Sequence, residues 1–214
     1  AVKRLNNLRD KPERLRQFLR GMPKGTDLHT HLSGAVYAEA MIRWGAADGK
    51  CVDPVSFVST FPPCTGEQLP LSNALSDTVL WDQILGAWSM RGFRPDALSG
   101  HNHFFATFDL FGSAFSGRQG DGLAQVTQRA AAQNVQYVEP LITPQFGATL
   151  AIANQVGYIP DFTAMRQAML DAGITNAIPA AGLTASAALD RRADLLGCAT
   201  PSSKPGCGVM VNFD

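Results

Sequence analysis

Several features are scarce or missing in this chain of 214 residues, and each absence narrows what it can be. No apolar run approaches the roughly 20 residues a membrane-spanning helix needs. Neither a phosphate-cradling P-loop nor a Gly-x-Ser-x-Gly nucleophile elbow occurs, so neither P-loop nor serine-nucleophile chemistry has a sequence basis. There is no internal repeat and no low-complexity linker. Net charge is zero, with 18 Lys and Arg against 18 Asp and Glu. Only four cysteines and four histidines are present. The first residue is Ala rather than Met, so a processed or trimmed N-terminus is expected, with no signal peptide left to read.

What is present is ordinary for a folded chain: 45% hydrophobic and 17% charged residues. That length buries a sizeable core, and one domain is the default expectation. Charge is uneven, however. Residues 1–24 hold eight cations (Lys3, Arg4, Arg9, Lys11, Arg14, Arg16, Arg20 and Lys24) against Asp10 and Glu13. One reading is a nucleic-acid arm. The preferred one is an amphipathic helix with a solvated basic face, because Leu15, Phe18, Leu19 and Met22 fall at helical spacing. Asp10 and Glu13 form a capping-box pattern, and Gly21 and Pro23 stop the segment.

The cysteines form two local pairs, Cys51 with Cys64 and Cys198 with Cys207, each bracketing a Pro-containing loop. Neither has the Cys-x-x-Cys spacing of a zinc knuckle or redox motif. Each reads as a loop stapled by a disulfide, worth roughly 2–3 kcal/mol by loop entropy. Disulfides imply a secreted or periplasmic protein, whereas four reduced, buried cysteines would fit the cytoplasm.

Along the chain, the spacing predicts a strand over Asp27–Leu32 and helices over Ala35–Trp44 and Leu75–Trp88. A loop-rich insertion over residues 45–70 lies between those helices and holds Cys51 and Cys64. Ser99 is placed to cap a helix from His101 to about Phe111. Another helix runs from Leu123 to Asn134, and a strand from Val135 to Ile142 with Pro140 near its end. Helices over Asp161–Ala172 and Leu183–Leu196 then lead to a third strand, Gly208–Asp214. This alternation implies an α/β fold with parallel strands and helical crossovers. Three such strands alone cover neither their faces nor their edges. The expectation is therefore a chain that stops partway through a larger α/β fold.

The chemistry concentrates in Thr26-Asp27-Leu28-His29-Thr30-His31-Leu32-Ser33-Gly34. Side chains alternate across a strand, so His29 and His31 point the same way and can share a metal ion. Strand C-termini in parallel α/β folds face the active site. The competing reading is a pair of hydrogen-bonded structural histidines. A catalytic zinc usually takes three protein ligands, and His101 and His103 do not supply them. They sit two apart on a helix and point to nearly opposite sides. Phe104, Phe105 and Phe108 on that helix are core residues or an apolar wall for a flat ligand. Glu139 is either an acid–base group or a carboxylate paired with Arg.

The segment Met22-Pro23-Lys24-Gly25-Thr26-Asp27-Leu28-His29-Thr30-His31-Leu32-Ser33-Gly34 resembles the opening motif of adenosine deaminases, within the metal-dependent hydrolase superfamily. His103-Phe104-Phe105-Ala106-Thr107-Phe108-Asp109 resembles the family's pocket helix, and Gln136-Tyr137-Val138-Glu139 its second barrel strand. The Cys51–Cys64 insertion and the Gly-His-Asn-His-Phe-Phe run are similar to the secreted, growth-factor-related branch. The resemblance spans about residues 22–214 and is strongest at the first motif.

It implies a (β/α)₈ TIM barrel, of which residues 1–214 would be the N-terminal part: about three βα units, with residues 1–24 as a helical extension. It implies hydrolytic deamination of adenosine or deoxyadenosine to inosine and ammonia with one Zn²⁺. His29 and His31 would be two of the zinc ligands, and Ser33, Phe104, Phe105 and Phe108 would contact the purine nucleoside. Ser33 stands where many members place a ribose-binding Asp, and a neutral hydroxyl bonds a 5′-hydroxyl less strongly than a carboxylate. The other zinc ligands, the general acid and the second catalytic His have no counterpart here. The remainder of the barrel is therefore needed, and this chain alone is expected to be inactive and to contain no catalytic residue. Two alternatives stand beside this reading: a non-catalytic growth-factor-like or nucleoside-binding relative, and another metal-dependent amidohydrolase acting on a purine base. No nucleic-acid partner and no membrane span are expected.

Overall fold

The computed structural model describes residues 2–95 and 98–213. Helices α1 (Val2–Asn6) and α2 (Pro12–Gly21) precede strand β1 (Gly25–His31), which runs into the single turn α3 (Leu32–Ala35) and helix α4 (Ala38–Ala47). Short strands β2 (Cys51–Val52), β3 (Ser59–Thr60) and β4 (Leu69–Pro70) follow, then a 3₁₀ turn (Leu71–Leu75) and helices α5 (Thr78–Ala87), α6 (Gly100–Leu110), α7 (Gly112–Phe115) and α8 (Gln119–Ala132). Strand β5 (Val135–Leu141), helices α9 (Phe146–Val156), α10 (Phe162–Asp171) and α11 (Ala177–Leu196), a 3₁₀ turn (Pro205–Gly208) and strand β6 (Met210–Val211) complete the order.

The chain divides into two compact units. One, the sheet unit, comprises residues 1–30 and 127–214; the other, the inserted unit, comprises residues 31–126. The sheet unit is built on a parallel three-stranded sheet in the order β1-β5-β6. Tyr137 pairs with Met210 and Val138 with Val211. Ala130, Val138 and Val209 form a small buried core, joined by Ala131, Val135 and Val211. Pro140 lies inside β5 but beyond the β6 pairing, where its missing N–H breaks no bond to β6.

A cation ties the sheet unit's last connection together. Arg192 of α11 donates from Nη2 to the Gly206 and Val209 carbonyls (2.6 and 2.7 Å) and from Nε to Thr127 Oγ1 (3.1 Å). Burial lowers its pKa, but a guanidinium stays charged. Gly206 sits so close to α8 that a Cβ there would lie 2.9 Å from the Gln128 backbone nitrogen. The Cys198–Cys207 disulfide closes the same loop.

The inserted unit has the larger core. Leu32, Met41, Ile42, Val52, Leu71, Ile84 and Leu123 are all essentially inaccessible to solvent. Gly45 lets α4 approach its neighbours, since a Cβ there would lie 2.4 Å from Leu71 Cδ2. β3-β2-β4 form a small antiparallel sheet, with Cys51 on β2 bonded to Cys64. Trp88 Nε1 donates to the Phe57 carbonyl at 2.8 Å and Ser59 Oγ to the Leu110 carbonyl at 2.8 Å, fixing that sheet against α5 and α6.

Several expected elements shift. The Asp10–Glu13 capping box does not form: Lys11 holds the cap position without a side-chain bond, and α2 opens on Pro12, whose fixed φ and missing N–H suit a first helical turn. The helix expected over Ala35–Trp44 splits into α3 and α4 at Val36 and Tyr37. The loop-rich 45–70 segment contains the β2–β4 sheet. The third strand shrinks to Met210–Val211 after a 3₁₀ turn, and Asp214 lies outside the described residues. Among the described residues, no helix is long and apolar enough to cross a membrane.

The three bonds from Arg192 predict a measurable cost of removal. Arg192→Ala should lower unfolding stability by about 2–3 kcal/mol in urea titrations. Arg166→Ala, on an exposed face of α10, should stay within about 0.5 kcal/mol of the parent.

Candidate functional site

β1 carries His29 and His31 at its C-terminal end, two residues apart and therefore on one face of the strand. Both side chains are exposed, and the His29 N–H donates to Asp27 Oδ1 at 3.4 Å. β1 contains no buried residue, although strands of parallel sheets are ordinarily covered on both faces. Two imidazoles so placed fit two positions of a zinc shell. Among the described residues, no group of three or more His, Cys, Asp and Glu side chains is arranged to hold a metal. The donors present thus amount to a partial site.

Directly after the histidines, α3 holds Ser33, half-buried, and Gly34. A Cβ on Gly34 would lie 2.9 Å from Phe108 Cζ, so this glycine is what lets the turn lie against the α6 aromatic row. Ser99 caps α6 by accepting from the Asn102 N–H, at 3.1 Å. Phe104 stands edge-on to Phe105 and Phe108, with ring centroids 5.2 and 5.3 Å apart, and Phe108 tilts against Phe111 at 5.6 Å. Phe104 and Phe105 remain 43% and 57% exposed, enough ring surface to receive a flat apolar ligand. The inserted unit therefore brings Gly34 and Phe108 together.

His101 and His103 diverge as residues two apart on a helix must. His103 Nε2 bonds the Ser89 carbonyl at 3.0 Å and its ring stacks on Phe93. His101 pairs with Asn102 Oδ1 and tilts over Phe105. Both are occupied structurally.

Glu139 has a different partner from the Arg considered from sequence. It accepts a hydrogen bond from the Tyr137 hydroxyl, two residues back on the same face of β5. Asn212, just past β6, also bonds the Tyr137 oxygen, and its backbone N–H donates to the Val138 carbonyl at 3.2 Å. The hydrogen bond to Glu139 is the main cause that raises the Tyr137 pKa, with desolvation and the carboxylate's charge adding to it; Asn212 acts the other way. Asn212 escaped the sequence reading because only the β5–β6 pairing brings it there.

No family model, no curated protein and no solved structure matches this chain.

Two measurements follow. Ultraviolet titration should show one of the three tyrosines ionising above the usual value of about 10, and Glu139→Gln should bring it down. Because the folded-state pKa is the raised one, the stabilisation from neutral Tyr137 is full below pH of about 10 and is lost as pH climbs through the raised value. Separately, Gly34→Ala must push the Phe108 ring aside. It should cost on the order of 1 kcal/mol in thermal unfolding, because the close atoms are the far end of a side chain and not backbone.

Proposed function

We propose that this chain carries the first strands and half of the zinc site of an adenosine deaminase-like enzyme. The complete protein would hydrolyse adenosine or deoxyadenosine to inosine and ammonia. The observation that carries the reading is the His29-x-His31 pair on one face, at the C-terminal end of a strand in a parallel sheet. Support comes from the exposed Phe104 and Phe105 rings and from Gly34, which seats the turn after the histidines against Phe108.

In this reading the sheet is the start of a (β/α)₈ barrel, and His29 and His31 hold zinc together with ligands from polypeptide outside these residues. The chemistry zinc supplies in such a site is a bound water acidified to a pKa near 7. Ser33 would hydrogen-bond the sugar as a neutral hydroxyl, and Phe104, Phe105 and Phe108 would stack against the purine and exclude water. The exposed apolar residues Leu28, Phe146, Leu150, Phe162, Ile178 and Leu183 fit a fold whose sheet and helices have further polypeptide to pack against. The two disulfides fit an exported protein.

Zinc titration calorimetry on the metal-free chain is the test. One weak site is expected, and either His29→Ala or His31→Ala should abolish it. The 214-residue chain by itself should release no inosine from adenosine by chromatography. Zinc binding untouched by both substitutions would remove the ligand assignment, and robust turnover by the chain alone would remove the half-site. Release of ammonia from adenine or guanine, but not adenosine, by the complete protein would favour a base-specific amidohydrolase.

A further inference from the structure

The N-terminal helices of the sheet unit play no part in that chemistry. α2 is amphipathic, yet none of its residues is buried. Leu15 and Phe18 are partly buried, and Leu19 and Met22 are 38% and 39% exposed. At about 100° per residue, Leu15, Phe18, Leu19 and Met22 form one stripe. Arg14 and Arg16 then fall on its two opposite flanks, with Arg20 beyond Arg16. A groove of about 640 Å³ separates Leu15 and Leu19 of this stripe from Ala132 and Gln133 at the end of α8, and Arg16, Arg20 and Lys24 border it. α1 adds Lys3 and Arg4, the latter stacked over the Phe18 ring at 5.5 Å.

Among the described residues, one ion pair and one helix-end contact temper this charge. Glu13 lies 3.9 Å from Arg16, with both side chains largely in solvent, so the pair is weak. Lys24 Nζ bonds the Arg20 and Met22 carbonyls and closes the helix end. The eight cations against two acids in residues 1–24 therefore form a strongly positive surface around an incompletely covered apolar stripe.

We infer that this surface docks on an anionic lipid bilayer, with α2 lying in the interface. Cations on both flanks of an apolar stripe match the headgroups on either side of a partly inserted helix. A second copy packed two-fold on α2 is the wrong occupant, since it would set one highly positive segment against another. A nucleic acid would use the charge but not the stripe.

The test is co-sedimentation of the full chain with vesicles of phosphatidylcholine containing 30 mol% phosphatidylserine, beside pure phosphatidylcholine vesicles. Binding is expected to the first and not the second, and to weaken with salt. Each surface-facing cation contributes about fivefold. Neutralising Arg14, Arg16 and Arg20 together to Gln should thus cost on the order of 100-fold. Leu19→Ser, at an exposed position, should also weaken binding while circular dichroism and thermal unfolding stay as in the parent. No binding to the anionic vesicles would overturn the inference. So would binding indifferent to the arginine substitutions, or equal retention by heparin or DNA with no loss in Leu19→Ser, which would mark a general polyanion surface instead.

Discussion

Parallel strands cannot be joined by a tight turn; each return needs a crossover long enough to bring the chain back to the start of the sheet. That constraint organises this chain. The first crossover, residues 32–134 between β1 and β5, contains all of the inserted unit but His31, with its own core, sheet and disulfide. The second, residues 142–209, holds α9, α10 and α11. The sheet itself supplies few bonds, because β6 is only two residues long. The return to β6 is held instead by side chains and a covalent bond: Arg192 across to two carbonyls, Gly206 tight against α8, and the Cys198–Cys207 bridge.

Much of this was legible where one local rule dominates. Ser99 and Asp161 cap their helices as short polar side chains before apolar periods do. Gly173 and Gly197 follow α10 and α11 in the left-handed conformation, which favours glycine. The cysteine pairs close because their loops are short. What escaped lacks such a signal. β2, β3 and β4 are two residues each, too short for any alternation to register. α9 opens on Gln145 at φ 60° without a side-chain cap, and its Gly147 weakens a helical reading. α11 begins six residues before the expected Leu183, because Pro179 falls in the first turn, where a missing N–H breaks no bond.

The candidate site divides the same way. The histidine pair is legible from strand period alone, since it depends on nothing beyond β1. The fit of Gly34 against Phe108 depends on a meeting of residues 74 apart in sequence, and the Tyr137–Glu139–Asn212 array on the β5–β6 register. Neither leaves a trace in composition or spacing.

The sheet unit is also polar along its strands, and α2 and His29 sit toward opposite ends of β1. Lys24 donates its N–H to the Asn134 carbonyl at 2.9 Å, and Asn134 Nδ2 donates to the Arg20 carbonyl at 2.7 Å. These bonds fasten the end of α2 to the residues just before β1 and β5, the N-terminal edge of the sheet. His29 lies toward the other edge of β1, a strand of about 23 Å at 3.3 Å per residue. In α/β folds the C-terminal edge carries chemistry and the N-terminal edge is left to stability. A basic amphipathic helix pinned to the N-terminal edge is therefore separated from His29 by most of the length of β1. The two roles would then be separable by substitution, because no residue named for one is named for the other.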